Sequence, residues 1–197
     1  MIIRISPIIN GMQEYFSHLY GKRNNIYFPG LIARITSLDI VIGDLQDAIR
    51  KKHSKKKIGM ALARIIGRIF CIADSFKSLN LSIAMINKYP KVCCSYCGCK
   101  PCNCKERRSK PNDLSDLRDP YQQYTWTISD WQTHLSEIYG AKNQKRGKEN
   151  LLNRLSKEVS ELLSLQARIP ELNTSLDEIE MEFAYELADT LAWTIAI

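Results

Sequence analysis

The sequence contains no apolar run approaching the ~18 residues that cross a bilayer, because charges interrupt every hydrophobic stretch at helical spacing. No membrane partner is expected. Its first residues, Met1-Ile2-Ile3-Arg4-Ile5, lack the extended apolar region and small-residue cleavage site of a secretory signal, so a cytoplasmic location is expected. A disulfide framework spread along the chain is also missing. Six of the seven cysteines lie between Cys93 and Cys104, and such clustering in a cytoplasmic protein argues for metal rather than cross-links.

A chain of 197 residues with 45% hydrophobic content can bury one sizeable core, or two small helical ones joined by a linker. Apolar residues recur at three- and four-residue steps over 31–49, 58–76, 128–139, 151–165 and 179–195, an all-α pattern. Breaks are expected at Pro29-Gly30, from Lys51 to Lys57, at Tyr89-Pro90, from Gly140 to Gly147 and from Pro170 to Ser175. Ser129 or Asp130, and Thr174 or Ser175, are candidate N-caps. The formal net charge of +7 is concentrated in Arg50 to Lys52, Lys55 to Lys57 and Lys105 to Lys110. Such runs are ordinarily solvated, so nucleic acid is the less favoured reading of the charge.

The two halves share a pattern. Met12-Gln13, Ser17, Tyr20-Gly21 and Asn24 align with Trp131-Gln132, Ser136, Tyr139-Gly140 and Asn143 at a constant offset of 119 residues. With one residue inserted, Leu31, Arg34, Leu45, Gln46 and Ile49 fall on Leu151, Arg154, Leu165, Gln166 and Ile169. A further one-residue shift lays the segment from Leu62 to Ser75 on that from Phe183 to Ala196, there mainly by apolar pattern. The expected fold is an all-α helical bundle of two related three-helix units joined by a Cys-rich metal knuckle. The expected divisions are 1–90 for the first unit, 91–105 for the knuckle, 106–123 for a polar linker and 124–197 for the second unit.

The second unit carries the chemistry. Glu158 and Glu161 are three apart on one helix, and Glu186 and Asp189 three apart on the next, so each pair presents two carboxylates on a single face. If the helices return antiparallel, four carboxylates meet, an arrangement costly for bare anions and favourable around a hard divalent cation, magnesium first. Nearly everything around Glu186 and Asp189 between Phe183 and Trp193 is apolar, so at least one acid faces a crowded interior.

The segment Leu155-Ser156-Lys157-Glu158-Val159-Ser160-Glu161-Leu162, followed by Glu186-Leu187-Ala188-Asp189-Thr190-Leu191, resembles the ExxE and ExxD helices of the MazG-like all-α NTP pyrophosphohydrolases. The helix from Trp131-Gln132 to Tyr139-Gly140 resembles that family's first helix, and the likeness covers about 70 residues, from Thr127 onward. The resemblance implies that Glu158, Glu161, Glu186 and Asp189 hold Mg²⁺ and that the substrate is a nucleoside triphosphate cleaved between its α and β phosphates. It also implies a homo-oligomer, or a pseudo-dimer within one chain. Two departures stand out: Lys157 replaces an acid often found before the first motif glutamate, and the sequence ends at Ile197, before the basic, Asn-containing segment that usually follows. Triphosphate binding is therefore expected to be incomplete. A catalytically silent nucleotide-sensing or protein-interaction module is the alternative.

Around this core, Lys142 and Arg154 are candidate phosphate contacts, with Arg154 alternatively pairing with Glu158. Trp126 and Trp131 are candidates for base stacking, core packing being the preferred reading. Glu182 is a candidate for orienting water, or part of a solvated face. In the first unit the four acid positions become Leu38, Val41, Ile65 and Arg68, which cannot hold a divalent cation. Cys94-x2-Cys97 and Cys102-x-Cys104 lie close enough for a turn around a tetrahedral ion. Structural zinc is the first choice, and an iron–sulfur cluster also fits the spacing. Cys71, on an apolar helix face, is expected in the core.

Overall fold

Residues 8–90, 92–104, 120–169 and 175–197 are described by a computed structural model. Among them the helical periodicity becomes eight α-helices and no strand. In chain order these are α1 (Ile9–Tyr27), α2 (Leu31–Arg50), α3 (Lys55–Ala73), α4 (Leu81–Lys88), α5 (Pro120–Tyr124), α6 (Ile128–Arg146), α7 (Lys148–Arg168) and α8 (Leu176–Ala196). The charge run from Lys105 to Lys110, most of the expected linker, the opening residues through Pro7 and the break from Pro170 to Thr174 lie outside the described residues.

Local chemistry explains the helix ends. Thr127 caps α6 and Ser175 caps α8, each with a capping box closed by Asp130 and Glu178 respectively. The α6 cap thus stands upstream of Ser129 and Asp130, which fall inside the first turn. Ser54 caps α3, which places Lys55 to Lys57 in that helix's first turn rather than in a connection. The expected break at Gly140 is also corrected, since α6 runs through it to Arg146. Gly140 sits where an added Cβ would lie 3.0 Å from Ser136 Oγ, so its small size serves packing within a continuous helix. The chain turns instead at Gly147, with φ +76°, and the junction between α1 and α2 turns at Gly30, with φ +81°. Only glycine adopts this conformation without strain.

The halves share much of their packing pattern, though α6 also packs on α7. In each, the second and third helices pair side by side (α2 with α3, α7 with α8) and the first packs across the third (α1 on α3, α6 on α8). The units meet through α2 against α7 and α3 against α8. Their N-cap residues Ile8 and Thr127, 119 apart as the repeat requires, form an antiparallel bridge, the pairing that an approximate two-fold axis produces. Helix α4 follows the three helices of the first unit and lies on α8.

One continuous apolar cluster runs through both units and includes Ile35, Leu38, Phe70, Trp131, Leu155 and Phe183. Burial of such side chains contributes roughly 1.5–3 kcal/mol each. Leu38, Val41 and Ile65 are buried in it, on the helix pair of the first unit that corresponds to α7 and α8. Arg68 leaves the core and lies over the Phe28 ring at 4.1 Å. Arg34 is buried and donates to Cys71 O, Ser75 Oγ and Asn25 Oδ1, so the arginine that the repeat aligns with Arg154 serves as an internal tie. Cys71 is buried as expected. Among the described residues no single helix is long and apolar enough to cross a membrane; α1 and α2 pass that test only together and are bent by 103° at their junction.

Candidate functional site

Three of the four expected acids converge. Carboxylate oxygens of Glu158 and Glu161 on α7 and Glu186 on α8 lie within 4.8 Å of one another. Antiparallel pairing of α7 with α8 brings them together, because each residue faces the groove once per helical turn. Asp189, one turn beyond Glu186, stands at the rim of this group and is held by the first half of the chain. Lys88 Nζ lies 2.5 Å from its carboxylate, and Tyr89 Oη donates to it at 2.5 Å. Lys88 also donates to the Tyr185 carbonyl at 3.0 Å, which fixes the ammonium on α8. Lys157 pairs with Glu161 one turn along α7.

The electrostatics are those of crowded anions. Glu158 is only 5% exposed, and burial, followed by the hydrogen bond with Glu161 and the charges of Asp189, Glu161 and Glu186, pushes its carboxyl up to about 8. Burial likewise raises Glu186, against the opposing pull of Lys88. Trp193 Nε1 donates to Glu158 at 3.1 Å, orienting the carboxylate from one turn beyond Asp189. Burial and the adjacent Asp189 hold the Tyr89 phenol protonated, so it remains a donor. Glu158, Glu161 and Glu186 are thus a group of hard oxygens that could hold a metal ion, with Lys88 and Lys157 paired to acids beside it.

A cavity of about 210 Å³ opens beside the acids. Glu158 and Asp189 belong to its lining. Lys88, Lys142, Arg146 and Arg154 contribute cationic side chains to its lining, and Tyr89, Tyr96, Tyr139 and Trp193 contribute aromatic ones. Lys142 and Arg154, the candidate phosphate contacts of the sequence, both line this cavity. Trp131 does not line the cavity: it is 1% exposed, packed edge-on against Trp126 at 4.9 Å between ring centres, and its role is in the core. Glu182 is exposed on α8 and does not line the cavity. Trp193 is the cavity's indole. Its i+4 spacing from Asp189 was the available sequence signal. Lys88 and Tyr89 had none, because they come from outside the repeat.

The cysteines form the second cluster. Sulfurs of Cys94, Cys97, Cys102 and Cys104 lie within 4.8 Å of one another, and Cys94 Sγ and Cys104 Sγ are 3.8 Å apart. Tetrahedral thiolates at about 2.3 Å from zinc stand about 3.8 Å from each other, so the four can hold a metal ion. Cys94 N–H donates to Cys99 O and Gly98 N–H to Cys94 O, closing the turn, with Gly98 at φ +66°. Burial raises the Cys97 thiol, but N–H and thiol donors outweigh it and bring it down to about 6. Cys93 is buried and Cys99 exposed, both apart from the cluster of four.

Comparison with known proteins gives no match to a family model, a curated protein or a solved structure. The MazG-like resemblance thus stands on the motif residues themselves.

Proposed function

We propose that the protein is a Mg²⁺-dependent nucleoside triphosphate pyrophosphohydrolase of the MazG-like kind, converting an NTP or dNTP to the monophosphate and pyrophosphate, with zinc as the structural metal at the cysteines. The observation that carries this reading is that Glu158, a member of the acid cluster, and Asp189 line the same cavity as several cationic side chains, while Glu161 and Glu186 lie outside its lining. Acids alone are common on protein surfaces. Acids that open into a cavity bearing Lys142, Arg146 and Arg154 pair a cation site with a polyanion site.

Glu158, Glu161, Glu186 and Asp189 would hold Mg²⁺, which when bound supplies neutralisation of phosphate oxygens and acidification of a water. The chain's own contributions follow from placement. Lys142, Arg146 and Arg154 bind the phosphate chain and orient its α phosphorus toward the acids. Trp193 fixes Glu158 while Arg146 sits over the indole, 6.0 Å from its centre. Water adds to the α phosphorus, the bond from that phosphorus to the bridging oxygen breaks, and pyrophosphate departs. At about 210 Å³ the cavity lies below the roughly 300–1,000 Å³ of sites that enclose a whole ligand. It houses one portion of a nucleotide and leaves the rest at the open mouth.

A silent nucleotide sensor is the second reading, and one observation favours it: Lys88 and Lys157 already pair with Asp189 and Glu161. Pyrophosphate release from a panel of NTPs and dNTPs with Mg²⁺ separates the two. Turnover that disappears in Glu161→Ala and Asp189→Ala supports the enzyme. Nucleotide binding without turnover supports the sensor, and neither binding nor turnover would sink both.

A further inference from the structure

We propose that the cysteine knuckle is a wall of the nucleotide cavity, with Ser95 and Tyr96 facing the ligand, so that metal at Cys94, Cys97, Cys102 and Cys104 sets nucleotide affinity. This rests on the nucleotide reading above. The same cavity that Glu158 and Asp189 line is also lined by Cys94, Ser95, Tyr96, Cys102 and Cys104. Two sites that sequence places in separate segments therefore share one space.

The knuckle is tied to the site at both ends. On its N-terminal side, Lys88 and Tyr89 hold Asp189 and lead within five residues to Cys94. The carbonyls of Tyr89 and Pro90 accept from Gln123 at 2.9 Å and His134 at 3.1 Å, holding these two residues in place. Across the turn, Cys102 N–H donates to Ile138 O at 2.8 Å and Lys100 pairs with Glu137 at 2.5 Å, both on α6. Lys142, a cavity cation, donates to the Cys104 carbonyl at 2.8 Å. A phosphate-facing side chain is thus positioned by the knuckle's own backbone.

Apolar burial does little to order this turn. Cys93 and Cys94 are buried, but Cys99, Lys100, Pro101 and Asn103 are exposed. Thiolate–metal bonds would add to the hydrogen bonds and the Lys100–Glu137 pair that hold it, since binding energy at such sites is folding energy. With metal lost, the wall opens and Lys142 loses its anchor. Linkage then demands the converse: nucleotide must tighten the metal by the factor by which metal tightens nucleotide.

The test uses the full chain, purified reduced and zinc-loaded. Affinities for a panel of α,β-methylene nucleoside triphosphates with Mg²⁺ are compared between this protein, Cys97→Ser/Cys102→Ser and Tyr96→Ala, with far-UV dichroism reporting the helices. Zinc loss to a chromogenic chelator is timed with and without the tightest analogue. The expected result is about tenfold weaker binding in the thiol variant, within the roughly 5–150-fold range of coupled sites, and slower zinc loss in the presence of nucleotide. Tyr96→Ala should bind nucleotide more weakly while keeping its zinc. Should the thiol variant lose its helices, Tyr96→Ala and the zinc-loss comparison decide alone. Nucleotide affinity indifferent to zinc and to Tyr96, with zinc loss indifferent to nucleotide, overturns the proposal and leaves the function standing. Absence of nucleotide binding to the zinc-loaded parent overturns the function itself and this with it.

Discussion

Replacing Glu158 by Gln removes the carboxyl on which burial and like charge press hardest, and pH reads the consequence. The group ordinarily titrates near 4.5 and is raised to about 8 in the folded chain. A carboxyl raised by folding contributes stability that is fully present below its unfolded value and is lost as pH climbs through its folded one. Without added Mg²⁺, the protein should therefore weaken between about pH 4.5 and about pH 8. At about 1.36 kcal/mol per pH unit the ceiling is roughly 5 kcal/mol. Water at the open mouth and the proton shared with Glu161 reduce it to on the order of 2–3 kcal/mol. Gln mimics the protonated acid and still accepts from Trp193, so Glu158→Gln should match the parent near pH 5 and exceed it above pH 8. For a chain of this size that is a gap of about 5–10 °C in melting temperature. Burial lowers His134, which gives the opposite slope over part of this window, but it is present in both proteins and cancels in the difference. Thermal melts across the window, with and without Mg²⁺, are the measurement, and Mg²⁺ should flatten the parent's slope. Parallel curves for parent and variant would refute the account of the cage.

Glu161→Ala and Asp189→Ala should each cost turnover more than the roughly 10–100-fold that loss of an outer-sphere partner costs, measured as pyrophosphate release, with helicity retained. Lys88→Met should raise Mg²⁺ affinity several-fold, in line with a half-buried pair worth on the order of 1 kcal/mol; calorimetric titration showing equal or weaker binding contradicts this. Metal analysis of the reduced protein should find about one zinc per chain, held by four thiolates; no stoichiometric metal, with stability indifferent to chelator, rejects the knuckle. Gly147→Ala forces a side chain onto φ +76° and should destabilise by about 1–2 kcal/mol. Gly59→Ala, in α3 with open space around its Cβ, should stabilise by roughly 0.5–1 kcal/mol, and denaturant melts distinguish the two.

Much of the helical order was legible because it is local. Apolar spacing outlined five of the long helices, and the 119-residue offset that aligns Gln13 with Gln132 also relates the first and last residues of α1 to those of α6. The ExxE and ExxD spacings put their acids on single faces for the same reason: a helix's period is a property of its own backbone. Gly147 was harder to read, since nothing in spacing distinguishes a glycine that ends α6 from Gly140, which α6 simply passes through. What stood beyond local reading depends on partners far apart in sequence. Trp131 and Trp193 look alike as indoles, yet one is sealed in the core while the other orients Glu158, because only packing decides which helix face meets a cavity. Lys88 reaches Asp189 across 101 positions of sequence, and the cysteines share a cavity with the acids, because α4 lies on α8 and the knuckle docks on α6. Hydrophobic periodicity encodes that a face must be buried but not against what; that choice belongs to tertiary packing, which brings the two candidate metal sites to one cavity.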